Sequence, residues 1–393
     1  MRVTHVITRL IVGGAQENTV DSVLGLRRQP GLEVDLISGP TAGPEGSLES
    51  SFSGCAGALS VARHLVRPVH PWHDALALPE LTRLFRERRP DLVHTHSGKA
   101  GVLGRLAARR AGVPLIIHTI HGPSFGAFQG ALSNTIFTAA ERLAARATTH
   151  FVTVSEAMTR QYLAAGIGTP DQYTRVFSGF ALEPFLEARN EAGVRARLGL
   201  KSEDFIVGKI ARLTERKGHD DLFAAAPELI RHCPRLKFLL VGDGPWRGRF
   251  EQRIHELGLQ KHFAFTGLVP PTSIPELVGV MDVLIHLSLR EGLPRALPQA
   301  LAAGKPVVAT ECDGAGEVCL DGETGFLIPP RHGTALIQRL LQLEADPALR
   351  ERLGRRGPEF VRERFSVERM VNDLHQLYLR LAAKAGMAAS SRP

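Results

Sequence analysis

Short, nearly continuous apolar runs recur along this chain, each followed by a stretch with helical spacing; the series runs once, breaks, and starts again. The first series has strand candidates at 3–8, 33–38, 91–95, 115–120 and 150–154, with helical patterns at 14–27, 75–88, 98–110 and 133–147. Such alternation builds a parallel sheet with helices on both faces. A run as apolar as LIIHTI (115–120) fits a strand buried on both sides. After a mixed, charged segment at 178–199 that carries Pro184, strand candidates return at 204–210, 236–242, 262–267, 282–288 and 305–310. A length of 393 residues exceeds one ordinary core. The expected architecture is therefore α/β, with two Rossmann-like doubly wound domains at 1–183 and 184–365 facing across a cleft. A closing helix at 366–385 carries an apolar stripe (Val367, Met370, Val371, Leu374, Leu377, Tyr378, Leu381) and is expected to return to the first domain. A small, polar tail at 386–393 is expected to be flexible. Ligands of doubly wound sheets bind at the carboxyl ends of the strands, and the chemistry is expected there.

Several function classes fall away. No run of about 18 apolar residues occurs, and the opening MRVTHVIT reads as a strand rather than a leader, so the expected location is the cytoplasm. Cys55, Cys233, Cys312 and Cys319 form no CxxC pair and have no histidine at zinc spacing, so no metal site is expected. Three tyrosines and two tryptophans supply too little stacking surface for single-stranded nucleic acid. No GxGxxG follows a strand, which argues against a dinucleotide dehydrogenase. The net charge of +8 is concentrated: residues 60–150 hold twelve Lys/Arg against five Asp/Glu, a net +7. Nucleic acid, an anionic membrane surface or a phosphorylated acceptor would each explain that stretch, and so would an arginine-rich solvated surface.

Four segments carry candidate chemistry. Gly13 and Gly14 follow the first strand and open a helix, where backbone N–H groups can approach an anion. A plain strand-to-helix turn would use the same residues. Arg212 and Lys217 stand five residues apart on a loop after a strand, before a helix beginning near Gly218; two cations there can neutralise a diphosphate. Gly242 and Gly244 end a buried strand in a turn that can pass close to a ligand or to another loop. In SLREGLPRALPQALAAGKPVVAT, Glu291 ends a strand, Pro294 suits the first turn of a helix, and Gly304 caps it. Glu291 and Gly292 can then meet sugar hydroxyls, while Gln299 reaches back from the helix.

Taken together and in order, these segments resemble retaining GT-B glycosyltransferases of family 4. The matching features are the first glycine turn, Arg-x4-Lys-Gly at 212–218, VGDGP at 241–245, and EGLPRAL leading to AAGKPVVAT. VHTHSGKAGVLGRLAARRAGVPLIIHTIHG (93–122) is similar to members that assemble exopolysaccharide and other surface glycans. The resemblance implies transfer of a sugar, with retention, from a nucleotide-sugar donor (a UDP-sugar is expected) to a saccharide or lipid-linked acceptor, at the inner membrane face. It implies no permanently bound cofactor and no metal.

The resemblance also assigns roles. Gly14 contacts the diphosphate, with Gly13 beside it. Arg212 and Lys217 stabilise the departing diphosphate, Glu291 holds a donor-sugar hydroxyl, and Gly292 and Leu293 meet the sugar and phosphate through their backbone. His121 falls near the donor sugar, and His96 and Lys99 on the acceptor side. One departure is plain: the family pattern is Glu, seven residues, Glu, and here the second position is Gln299. Glutamine keeps an acceptor oxygen, gains two donors and loses the charge, which implies retuned ribose binding. Two alternatives share the fold: a nucleotide-sugar 2-epimerase, and a catalytically weakened nucleotide-sugar-binding protein.

Overall fold

The computed structural model describes residues 1–41, 43 and 46–387, so most of the tail expected at 386–393 lies outside the described residues. The chain forms two compact units, residues 1–180 with the segment from 367, and residues 181–366.

In the first unit the strands are β1 (Arg2–Ile7), β2 (Glu33–Ser38), β3 (Leu59–Val61), β4 (Leu92–His96), β5 (Leu115–Ile120), β6 (His150–Thr153) and β7 (Tyr173–Arg175). All neighbours pair parallel, in the order β3-β2-β1-β4-β5-β6-β7. The three-residue edge strands β3 and β7 are too short to show a period in sequence. The crossover helices are α1 (Gly14–Leu26), α2 (Pro71–Arg88), α3 (Gly98–Ala111), α4 (Ala131–Ala145) and α5 (Glu156–Ala164). α2 begins at Pro71, earlier than the 75–88 pattern: His70 caps it by accepting from the His73 N–H, and Pro71 needs no partner at the first turn.

The second unit opens with two short helices, α6 (Glu183–Leu186) and α7 (Ala192–Arg197), in the segment read as a break. Its strands are β8 (Phe205–Ile210), β9 (Leu236–Val241), β10 (Phe263–Gly267), β11 (Val283–His286), β12 (Val307–Thr310) and β13 (Gly325–Ile328). They are all parallel, in the order β10-β9-β8-β11-β12-β13. The helices are α8 (His219–His232), α9 (Arg247–Glu256), α10 (Ile274–Gly279), α11 (Ala296–Ala302), α12 (Gly333–Ala345) and α13 (Pro347–Arg364). Phe205, Val207, Phe238, Leu240, Val283 and Ile285 pack one face of this sheet against α8, α9 and α12.

The last helix, α14 (Val367–Lys384), belongs to the first unit. Met370, Val371, Leu374, Leu377 and Tyr378 are buried with Val3, Ile7, Leu92 and Ile117 of the sheet and Val20 and Val23 of α1. Gly25 allows this approach: a Cβ there would lie 2.3 Å from Val371 Cγ2. Val6, Ile37, Val93 and Ile116 bury the opposite face under α2 and α3. Alternation along each strand produces the two faces.

One buried ion pair ties α3 to α4. Arg105 Nη2 lies 2.5 Å from Glu141 Oε2, with side chains 0% and 1% exposed. Arg105 Nε also donates to the Gly101 carbonyl at 2.7 Å, and Ser124 Oγ donates to Glu141 Oε1 at 2.8 Å. The pair anchors the loop after β5. Removing one partner strands a charge in the core, so Arg105→Met is expected to cost about 3–5 kcal/mol, read as an earlier urea transition of the first unit.

Candidate active site

In each sheet the crossovers run outward in both directions from a switch point, between β1 and β4 in the first and between β8 and β11 in the second, so the loops after these strands diverge. That divergence leaves the switch-point crevice where doubly wound sheets hold ligands. Gly13, Arg212, Lys217, Glu291, Gly292 and Leu293 fall on these loops, His121 follows β5, Gly242 and Gly244 follow β9, and His96, Lys99 and Gln299 lie within β4, α3 and α11.

In the second unit the loop after β8 carries Arg212 and Lys217, and the loop after β11 carries Glu291. β11 ends at His286 rather than at 288, so Glu291 stands in the loop, not at the strand end. Lys217 Nζ forms an ion pair with Glu291 Oε1, the side chains being 22% and 18% exposed. Gly218 makes the approach possible. It adopts φ 68°, and a Cβ would sit 2.0 Å from the Leu287 carbonyl oxygen. The Leu289 N–H donates to the Arg216 carbonyl at 3.0 Å, joining the two loops. From the far side, the Glu291 N–H donates to Asp313 Oδ2 at 2.7 Å.

Burial pushes the Glu291 carboxyl up, but the Lys217 ammonium, helped by His286, brings it below the ordinary glutamate value. His286 Nε2 lies 3.5 Å from the same Oε1. Burial lowers the pKa of this histidine to about 3, so the imidazole is neutral near pH 7. Lys209, at the end of β8, is 1% exposed, and its Nζ has no hydrogen-bond partner. Burial, then the nearby Lys217 charge, lowers its pKa to about 7. Neither Lys209 nor His286 was singled out from sequence: a single polar residue inside an apolar strand shows no position until the sheet order is known.

Gly242 and Gly244 buttress the same site. Added Cβ atoms would meet the Ala211 carbonyl oxygen at 2.3 Å and the Leu213 carbonyl oxygen at 2.5 Å, on either side of Arg212. These glycines thus let the loop after β9 pack on the loop after β8. Arg212 itself is exposed. Gly292 and Leu293 are buried beside Glu291, and Gln299 is half-buried on α11. Pro294 precedes that helix rather than lying in its first turn, since Arg295 is the N-cap; Gly304, at φ 67°, follows its end.

In the first unit Gly13 caps α1 and Gly14 is its first residue. His121 immediately follows β5 and is half-buried. His96 departs from expectation. It is 1% exposed, with Nε2 2.9 Å from His5 Nδ1 and Nδ1 2.9 Å from His121 Nε2. Its ring stands behind His121, where an acceptor cannot touch it. Lys99 pairs with Asp74 and donates to the Pro68 carbonyl, which ties α3 to the start of α2. Ser97, at φ 67°, is in the left-handed region between His96 and Gly98, a strained turn of the kind that collects at functional sites.

The basic stretch at 60–150 is less uniform than its count. Arg105 is buried against Glu141, Arg88 pairs with Asp35, and Arg83 pairs with Glu87 at 2.9 Å. One group of metal-binding type is present among the described residues: nitrogens of His5, His94 and His96 lie within 4.8 Å of one another. Sequence spacing hides it, because His5 comes from a different strand. Each of these nitrogens is already hydrogen bonded to a protein group, the Tyr378 hydroxyl among them, so the group reads as a hydrogen-bonded network rather than an open ligand set.

A six-stranded sheet of this order, with glycine-buttressed loops at its switch point, is a nucleotide-binding framework. Residues 191–360 match the family described as Glycosyl transferases group 1, and residues 13–178 match the Glycosyl transferase 4-like domain. The 2-deoxystreptamine glucosyltransferase of Streptomyces kanamyceticus is 30% identical over 372 residues, covering 88% of this chain and 92% of that one. The UDP-Gal:alpha-D-GlcNAc-diphosphoundecaprenol alpha-1,3-galactosyltransferase of Escherichia coli is 27% identical over 80% of this chain and 82% of its own. Anabaena HepE, in its complex with UDP-glucose, superposes with a TM-score of 0.81 at 22% identity, over 97% of this chain and all of its own. The chain belongs to glycosyltransferase family 4, with the GT-B fold. It is a glycosyltransferase of the hexosyltransferase type.

The folded Glu291 carboxyl titrates below its unfolded value of 4.5. Its pairing therefore contributes stability that is full above that value and is lost as pH falls through the lower, folded one. Urea midpoints of wild type and Glu291→Gln, taken from pH 6 down to 3, are expected to converge in acid, by about 1 kcal/mol for so partly exposed a pair.

Proposed function

We propose that the chain transfers a hexosyl group, with retention of configuration, from a UDP-sugar to a saccharide or lipid-linked acceptor in surface-glycan assembly. The observation that carries this reading is the Lys217–Glu291 pair at the switch point of the second sheet. Cation and carboxylate are paired with each other. A donor diphosphate takes the Lys217 ammonium, and Glu291 is left to accept a hydrogen bond from a sugar hydroxyl.

Cleavage at the anomeric carbon develops negative charge on the leaving diphosphate, and Lys217 with the exposed Arg212 is placed on one loop to stabilise it. The N–H groups of Gly13 and Gly14, at the start of α1, are proposed to contact the diphosphate. Because these cations supply the charge, turnover is expected to persist in EDTA. In the retaining route the departing phosphate oxygen takes the acceptor's proton. His121 is proposed to contact the transferred sugar, Gly292 and Leu293 to meet it through their backbone, and Gln299 to bond the ribose. The donor base is inferred from UDP and UDP-glucose in HepE and from UDP-Gal in the E. coli enzyme's name. A mannosyltransferase of Mycolicibacterium smegmatis, 31% identical, is GDP-mannose-dependent, so both bases belong in the test.

A membrane-bound acceptor is supported by one surface of the first unit. Leu132, Ile136 and Leu143 share a face of α4 and are 76%, 55% and 52% exposed. Arg142 and Arg146 lie beside that apolar stripe. This combination suits an anionic bilayer interface. Among the described residues no helix is long and apolar enough to cross a membrane.

Thermal shift with UDP, GDP and ADP is expected to show stabilisation by UDP; a shift with GDP alone reassigns the base, and none with any of the three removes the donor reading. Lys217→Ala is expected to lower kcat roughly 10²- to 10³-fold in donor turnover. Gln299→Glu is expected to change KM with kcat similar. Flotation with anionic vesicles is expected to be lost in Leu132→Glu/Ile136→Glu; unchanged flotation removes the membrane surface from this proposal.

A further inference from the structure

Inside the first sheet, three histidines occupy one otherwise apolar face. His5 and His94 are register partners on β1 and β4, and His96 follows two residues later on the same face. Above them sits Tyr378 of α14. All four side chains are 1% exposed or less. Neutral polar groups are costly in such a core unless every one is satisfied, and here every ring nitrogen is. His94 Nε2 lies 2.6 Å from Thr119 Oγ1, and His94 Nδ1 lies 2.5 Å from the Tyr378 hydroxyl. That hydroxyl is 3.3 Å from His5 Nε2. His5 Nδ1 meets His96 Nε2 at 2.9 Å, and His96 Nδ1 meets His121 Nε2 at 2.9 Å. The rings of His96 stack on those of His5 and His121, with centroids 5.1 and 5.2 Å apart. The row ends on His121, which is half-buried and leaves the strand at its carboxyl end.

We propose that Tyr378, His5 and His96 form a positioning chain that fixes the tautomer of His121, so that this ring presents Nδ1 as its acceptor nitrogen. The argument rests on proton counting. A neutral imidazole has one N–H and one lone pair, so the bond made by one nitrogen dictates the role of the other. Once one member is set, all are. The shorter of the two Tyr378 contacts, the one to His94, suits an O–H donor, whereas the 3.3 Å contact to His5 suits a longer N–H···O bond to the same oxygen. His5 then carries its proton on Nε2 and accepts at Nδ1 from His96 Nε2–H. His96 in turn accepts at Nδ1 from His121 Nε2–H. The count requires that the chain stay uncharged, and it does: burial lowers the His5 pKa to about 3 and holds His94 and His96 well below the ordinary histidine value. The same residues would also fill the core as packing, but packing alone needs no directed order of protons, and an apolar row would serve it better.

The functional side of this inference rests on the proposal that His121 contacts the transferred sugar; the chain itself does not. The two are tested apart. Nitrogen-15 spectra of the full chain, labelled at histidine, are expected to show His121 as a single neutral tautomer protonated at Nε2. In Tyr378→Phe, which removes one hydroxyl and little volume, His121 is expected to become a mixture of tautomers, with kcat down roughly tenfold and KM for the donor little changed. His96→Asn, whose amide keeps a partner for His121 Nε2, is expected to retain more turnover than His96→Leu, and this pair stands in if Tyr378→Phe does not fold. A His121 signal unmoved by Tyr378→Phe overturns the proposal, as does protonation of wild-type His121 at Nδ1. One equivalent of tightly held zinc per chain, bound by His5, His94 and His96, overturns it as well. Full activity of His121→Ala removes the catalytic reading of His121 and leaves the spectroscopic result standing.

Discussion

The second unit depends on a backbone contact that only glycine permits. Gly218 brings the loop after β8 against the Leu287 carbonyl, and Gly242 and Gly244 bring the loop after β9 against the carbonyls of residues 211 and 213. Three loops are thereby packed within van der Waals distance at the carboxyl ends of neighbouring strands. Lys217 and Glu291, 74 residues apart, meet because the loops beneath them have no room to separate. A Cβ at any of these positions would push the loops apart by more than a side chain can absorb. The glycines read from sequence as ligand-approach turns are first of all contacts between loops, and the site exists because those contacts do.

Much of this was legible beforehand. The central strands β1, β2, β4, β5, β8 and β9 announce themselves through buried apolar runs, and α14 through its stripe. The edge strands β3 and β7 did not, since three residues carry no period. Element ends moved for local reasons: His70 and Pro71 start α2 early, and β11 stops at His286, leaving Glu291 in a loop. Arg212, Lys217, Gly242 and Gly244 fell on the loops expected for them. Site residues that depend on strand order did not show. Lys209, His286 and Asp313 acquire meaning only when β8, β11 and β12 are known to be neighbours. His96 was misjudged for the same reason, because one cannot read from VHTH that the second histidine lies beneath a third just past the end of the next strand.

Two clusters of buried polar groups, one in each unit, are matched to different degrees. In the first, His5, His94, His96 and Tyr378 satisfy one another completely, as do Arg105 and Glu141. In the second, Lys209 Nζ and His286 Nε2 are buried without hydrogen-bond partners, close enough to Lys217 and Glu291 to feel their charges. A satisfied network holds geometry, whereas buried groups left unmatched stand ready for a change of partner.

The placement of α14 also bears on how the chain is made. Tyr378 and its neighbours complete the core of a unit whose strands all lie before residue 176. On the ribosome, the whole of 181–366 emerges before that core can close. The second unit can fold first, while the first waits with Val3, Ile7, Leu92 and Ile117 uncovered. During synthesis the earlier-made half is thus the later to complete its core.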